Sequence, residues 1–194
     1  LDAGFSGFSR DNIFQSSAHV KIYRDDMLSE SLLPAEAHKV NAIVNPQITT
    51  LTKTLINPAM ILQEVKEEPY ITHAIAQIDY TLFYNRGKTQ VKGSGIGVNM
   101  VEYNAMFNTQ KYMVAGSVAD LQANSNGIII GSGVAEKLSL SLGDNISISS
   151  SYGVTKVLRI VGIFKFGNRM LDDTRSYVNI TTAQQFLKEG PTYV

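Results

Sequence analysis

The feature that most constrains this chain is the run at residues 154–166, which carries apolar side chains on both faces of an extended segment. Leu158, Ile160 and Gly162 fall on one side at strand spacing, and Val157, Val161 and Ile163 fall on the other. A strand apolar on both faces must be covered on both faces, so it belongs in the interior of a layered fold. Ile128, Ile129 and Ile130 read the same way, as a buried strand, with Gly131-Ser132-Gly133 leading into a helix whose apolar side is Val134, Ala135 and Leu138. Leu142-Gly143-Asp144 turns the chain into a further strand through Ile146 and Ile148.

Upstream lies a hairpin. Residues 71–84 read as a long strand with Ile78, Tyr80, Leu82 and Tyr84 on one side, Asn85-Arg86-Gly87 as the turn, and residues 88–98 as the return. Gly93, Gly95 and Gly97 share one face of that return strand, which predicts that something large covers them. Asn57 as cap and Pro58 at the first helical position predict an amphipathic helix with Ile61, Leu62 and Val65 inward, stopped by Pro69. Glu64, Glu67 and Glu68 form its wet face. Residues 100–107 read as a helix burying Val101, Ala105 and Met106, followed by a polar connection through Asn124-Ser125-Asn126-Gly127. Near the end, residues 177–180 form a short strand, and Thr181 caps a helix with Gln184 as its capping-box partner.

The opening is less regular. Phe5, Phe8, Ile13 and Phe14 could form one side of a short helix, either continuing a membrane span or fraying as a terminus. Residues 18–23 alternate as a half-buried strand before Arg24-Asp25-Asp26, and residues 27–54, punctuated by Pro34 and Pro46, read as a long connection.

Composition narrows the function classes. The chain has 194 residues, enough for one sizeable domain or two small subdomains, and begins at Leu1, as expected of a fragment or processed form. Lys plus Arg and Asp plus Glu both number 17, so no positive field favours nucleic acid. There is no cysteine, which removes disulfides, thiolate metal sites and a cysteine nucleophile. No stretch approaches the roughly 18 apolar residues of a membrane span.

Reactive constellations are missing in the same way. His19, His38 and His73 share no ligand spacing. Gly131-Ser132-Gly133 lacks the third glycine of a dinucleotide fingerprint, the position being Glu136, and reads as a tight strand-to-helix turn. Gly93-Ser94-Gly95-Ile96-Gly97 also fails that spacing. Asp25-Asp26 and Asp172-Asp173 are adjacent carboxylates that point apart in extended chain and read as solvated turns. Two glycosylation sequons, at Asn145 and Asn179, lie in expected strands and are discounted. These observations assign no catalytic, cofactor-binding or metal-binding residue.

The order of these pieces resembles a known family. Ile128-Ile129-Ile130-Gly131-Ser132-Gly133-Val134-Ala135-Glu136-Lys137-Leu138, then Leu142-Gly143-Asp144, then Leu158-Arg159-Ile160-Val161-Gly162-Ile163-Phe164, then Tyr177-Val178-Asn179-Ile180-Thr181-Thr182-Ala183-Gln184-Gln185-Phe186-Leu187 follow one another as in the periplasmic core domain of MacB-type ABC permeases, an FtsX-like group that includes the lipoprotein-releasing permeases. Ser16-Ser17-Ala18-His19-Val20-Lys21-Ile22 resembles the strand after the first membrane helix, and residues 58–69 the first amphipathic helix. The resemblance implies an α+β fold: a mixed α/β, porter-like subdomain of strand–helix units at residues 16–98 plus 172–194, with a β-rich subdomain inserted at residues 99–171. It implies no enzyme activity and no cofactor in this domain. The implied setting is a bacterial inner-membrane permease with this domain on the periplasmic, extracytoplasmic side. Its implied partners are a cytoplasmic ABC ATPase, a second permease copy, and a periplasmic partner or lipoprotein substrate, with force transmission as the role. The link between Ile148 and Val154 is a tight turn, so a long chaperone-hooking hairpin is not expected. Two alternatives stand beside this reading: a free-standing ligand-binding or sensor module with an apolar pocket, and a hydrolase with a scattered site.

Overall fold

The structure, a computed structural model, describes residues 20–22, 55, 57–150 and 153–187. Helix α1 (Pro58–Glu67) precedes strands β1 (Gln77–Arg86) and β2 (Thr89–Val98). Next come α2 (Met100–Phe107), a 3-10 turn, β3 (Met113–Gly116) and α3 (Val118–Ala123). They are followed by β4 (Gly127–Gly131), α4 (Ser132–Leu138), β5 (Asn145–Ser150), β6 (Thr155–Phe164), α5 (Arg169–Asp172), β7 (Arg175–Asn179) and α6 (Ile180–Leu187). Helices and strands mix in one α+β arrangement, as the sequence implies.

The seven strands form one mixed sheet in the order β3-β6-β4-β7-β2-β1-β5, and β5 also pairs with β6. The sheet therefore curls into a ring. Strand β6 makes this possible by changing partner along its length: its first half pairs with β5, and its second half with β4 and β3. Arg159 is the changeover, in register with both Asn145 and Gly127.

Alternation decides what lies inside. Ile78, Tyr80, Leu82 and Tyr84 of β1 join Ile128, Ile130, Ile146, Ile148, Leu158, Ile160 and Val178 in one buried core, which Val134 and Leu138 of α4 and Ala183 and Phe186 of α6 complete. The opposite face carries a second core, with Ile96, Ile129, Phe164 and Tyr177 under Met100 and Tyr103 of α2 and Val118 and Leu121 of α3. Ile128, Ile129 and Ile130 are all fully buried, two into one core and one into the other. Each contributes about 1.5–3 kcal/mol by leaving water.

The covering of the glycine-lined face of β2 has a direct explanation. A Cβ on Gly93 would run into the Tyr84 ring, on Gly95 into the Tyr80 ring, and on Gly97 into Ala183. The hairpin itself turns at Gly87, whose φ of 57° lies in the left-handed region that glycine adopts without steric cost.

Several sequence expectations change in the structure. Strand β1 begins at Gln77 rather than residue 71, which places His73 outside the sheet and exposed, and it runs on to Arg86. Asn57 does not cap α1 through its side chain. Its backbone is left-handed (φ 51°), whereas a capping side chain needs extended backbone, and only its carbonyl receives the Met60 and Ile61 N–H groups. Helix α2 buries Met100 and Tyr103, while Val101 and Ala105 are exposed. The connection after it holds β3 and α3, with Ser117 and Asp120 forming a reciprocal capping box.

In β6 the alternation slips at Val161. The register passes from Ile128↔Ile160 to Ile129↔Gly162, so Val161 is an extra residue. Leu158, Ile160 and Ile163 then share the inner core, Val161 and Phe164 join the outer one, and Val157 is exposed. Helix α6 starts at Ile180, so Thr181 is inside it rather than its cap. Of residues 18–23 only 20–22 are described, and they form no strand. The expectations for residues 5–17 and 27–54, and those for His19, His38 and Asp25-Asp26, lie outside the described residues.

Candidate functional site

Helix α1 is amphipathic but has no buried residue; Ile61, Leu62 and Val65 are half-buried. Its partner is the outer sheet face, and the two line an open-sided cavity of about 730 Å³. An ion pair between Lys66 Nζ and Glu102 Oε1, 3.2 Å, ties α1 to α2 across the rim. Ile75, Phe107 and Tyr103 wall the cavity opposite α1.

The floor is set by strand register. Thr81, Ser94 and Arg175 are register partners across β1, β2 and β7, and Asp79, Ile96 and Tyr177 form the adjacent row. All except Tyr177 line the cavity. Asp79 has a partner on each oxygen: Lys21 Nζ forms an ion pair with Oδ2 at 3.0 Å, and Gln77 Nε2 donates to Oδ1 at 2.7 Å. Arg175 interacts with the Tyr177 hydroxyl, yet its buried Nε has no hydrogen-bond partner among the described residues.

Beneath lies an aromatic cluster. The Tyr103 and Tyr177 rings are 5.3 Å apart, their hydroxyls 3.4 Å apart, and Phe107 packs on Tyr103 at 4.6 Å. Burial pushes both phenols well above their ordinary titration range; the proximity of Tyr177 adds to the effect on Tyr103, and Arg175 opposes it on Tyr177. Both therefore stay neutral.

The motifs weighed in the sequence resolve into packing. Gly131 and Gly133 are glycine because α5 crosses them: a Cβ would strike the Asp172 backbone at one and Asp173 Oδ1 at the other. Asp172 is not a solvated turn residue. It is 6% exposed and accepts from the N–H groups of Phe166 (2.8 Å) and Gly167 (3.1 Å). Asp173 pairs with Lys137 at 2.9 Å. Among the described residues no three His, Asp or Glu side chains converge as metal ligands. The cavity's polar residues Asp79, Thr81, Ser94 and Arg175 were not singled out by sequence reasoning. Nothing in the local pattern marks them, because register between distant strands assembles them. The arrangement offers apolar walls, one ion-paired carboxylate and one guanidinium: the makings of a binding surface.

Comparison with known proteins gives a family. Residues 6–194 match the family model described as the MacB-like periplasmic core domain. No curated protein is significantly similar in sequence. Among solved structures, the extracellular domain of the noncanonic ABC-type transporter YknZ from Gram-positive bacteria is similar at a TM-score of 0.52 and 15% identity, over 72% of this chain and 70% of that one. The periplasmic region of MacB from Actinobacillus actinomycetemcomitans is similar at a TM-score of 0.49 and 10% identity, over 70% of this chain and 60% of that one. At such identities the YknZ likeness establishes fold, while the family match spans nearly the whole sequence. The chain belongs to the family of MacB-like periplasmic core domains of ABC-transporter permeases.

Proposed function

We propose that this domain transmits ATP-driven conformational change from a cytoplasmic ATPase, through the permease's membrane part, to export or lipoprotein-release machinery outside. The family match over residues 6–194 carries the reading. This family is an extracytoplasmic permease domain rather than a catalytic unit, and hydrolysis is assigned to the separate ATPase. The physics supports the role: a lever needs packed elements that move as a body. A ring of strands with a core on each face supplies one. In this reading the permease sits in a bacterial inner membrane with the domain on its periplasmic side, and two copies assemble.

In this reading residues 16–98 plus 172–194 form one subdomain and 99–171 the other; the two parts share both cores and meet at two places in the sheet. One is the β4–β7 ladder of Ile129↔Tyr177 and Ile130↔Ser176, and the other joins β1 to β5. The connection between β5 and β6 is short, with Ser150 N–H donating to the Val154 carbonyl at 2.8 Å, so a hook for a periplasmic chaperone is not part of the proposal.

This chain has no cysteine, so once any native cysteines in the rest of the permease and in the ATPase are replaced, single labels can be placed in it cleanly. Spin labels at Lys88→Cys in the full-length permease with its ATPase should report a copy-to-copy distance that changes on ATP binding. A Lys88→Cys/Leu142→Cys pair within one copy should not change. An unchanged copy-to-copy distance through the ATP cycle overturns the reading.

A further inference from the structure

We propose that the cavity beneath α1 is a binding site for an aliphatic carboxylate, with Arg175 holding the head group and α1 covering the chain. The inference is independent of the force-transmission reading and stands on three observations. First, about 730 Å³ lies within the range of small-molecule sites, roughly 300–1,000 Å³. Second, much of the lining is apolar: Ile61, Leu62 and Val65 of α1 together with Ile75 and Phe107 would bury a chain rather than a polar solute. Third, the polar floor carries a positive group without a paired anion. Asp79 is already ion-paired with Lys21 and hydrogen-bonded by Gln77, and among the described residues no carboxylate forms an ion pair with Arg175 and no acceptor reaches its buried Nε.

A buried donor without an acceptor is costly, and an anionic oxygen is the acceptor that guanidinium geometry favours. A neutral oxygen would meet that demand only with a weaker hydrogen bond, and a cation would be repelled by Arg175. The helix that forms the lid side carries no core residue, so it can shift to admit a chain without disturbing either core.

The test is calorimetric titration of the chain with decanoate, alongside decanol and decyltrimethylammonium as head-group controls. Saturable one-site binding of decanoate is expected, with decyltrimethylammonium at least about tenfold weaker. Arg175→Gln should weaken decanoate about tenfold or more, the usual scale for a lost charge-assisted hydrogen bond, and weaken decanol clearly less. Leu62→Glu, on a helix outside the cores, should weaken both, and it keeps the test decisive if the Arg175 variant fails to fold. Absence of saturable decanoate binding below about 1 mM overturns the proposal. So does equal affinity for the cationic control, full decanoate binding by folded Arg175→Gln, or full binding by Leu62→Glu.

Discussion

Tyr80 packs against Gly95, its register partner on the neighbouring strand, so closely that a Cβ at Gly95 would collide with the ring carbon Cζ. The pair substitutes an aromatic face for the missing side chain and brings Phe186 against the same ring at 5.6 Å. Gly95→Ala should therefore cost about 2–3 kcal/mol in denaturant unfolding, the scale of overpacking a core. Adding Tyr80→Leu should recover part of that loss in a double-mutant cycle. Gly87→Ala is the contrast: nothing lies within 4 Å, and only its left-handed backbone resists, at about 1 kcal/mol. Additive Gly95 and Tyr80 effects would mean the ring does not set the constraint.

The Tyr80 hydroxyl leads to a second expectation. It is buried and has no hydrogen-bond partner among the described residues. Removing an unsatisfied polar atom while keeping the ring should be neutral or stabilising, by about 0–1 kcal/mol. Thermal unfolding of Tyr80→Phe checks this, and a clear loss of stability would assign the hydroxyl a partner.

Asp172 holds the loop after β6 by accepting two backbone N–H groups while its own backbone packs on Gly131. Asp172→Ala should destabilise by about 2–3 kcal/mol, the range for hydrogen bonds to a charged group, and Asp172→Asn by less because one acceptor oxygen survives. Urea midpoints of the two variants decide it; equal, small losses would make the carboxylate incidental.

Much of this architecture is legible from residue order because local pattern and burial agree. Ile78, Tyr80, Leu82 and Tyr84 alternate into one core, and the triple isoleucine at 128–130 lies between two. Legibility fails where elements are short or register intervenes. Strand β3 has four residues and α3 six, too few to display a period, although Ser117 and Asp120 carry a readable capping signal. In β6 the extra residue at Val161 moves Ile163 to the opposite face from the one that strict alternation assigns. Asp172 looks solvent-bound beside Asp173, and only the fold shows that two loop N–H groups need it. The candidate site was the least visible of all. Arg175 and Thr81 meet through Ser94, and no local spacing encodes a row built from three separate strands.

Ser117 closes a capping box at the start of α3: its side chain accepts from Asp120 N–H at 3.2 Å, and Asp120 Oδ2 accepts from Ser117 N–H at 2.9 Å. Ser117→Ala should cost about 1 kcal/mol. Hydrogen exchange should show the loss as faster exchange in α3 ahead of the rest of the sheet, because this helix is six residues long and depends on its cap. Exchange that rises uniformly would argue against a local capping role.

Alkaline pH should unfold the domain cooperatively. Burial raises the phenols of Tyr80, Tyr84, Tyr103 and Tyr177 above their ordinary value of 10.0, while in the unfolded chain they ionise near that value. Above pH 10 the unfolded state therefore binds fewer protons than the folded one, so stability falls as pH rises. Below pH 10 these four groups exert no pH dependence. Each contributes a loss of about 1.4 kcal/mol per pH unit, hence roughly 5.5 kcal/mol per unit for the set. Against a typical stability of about 5–15 kcal/mol, the midpoint should fall at about pH 11–13. Tyrosinate absorbance and loss of ellipticity should rise through one shared transition. Ionisation of these phenols at pH 10 with secondary structure intact would show that they are accessible to solvent, contrary to the two cores described above.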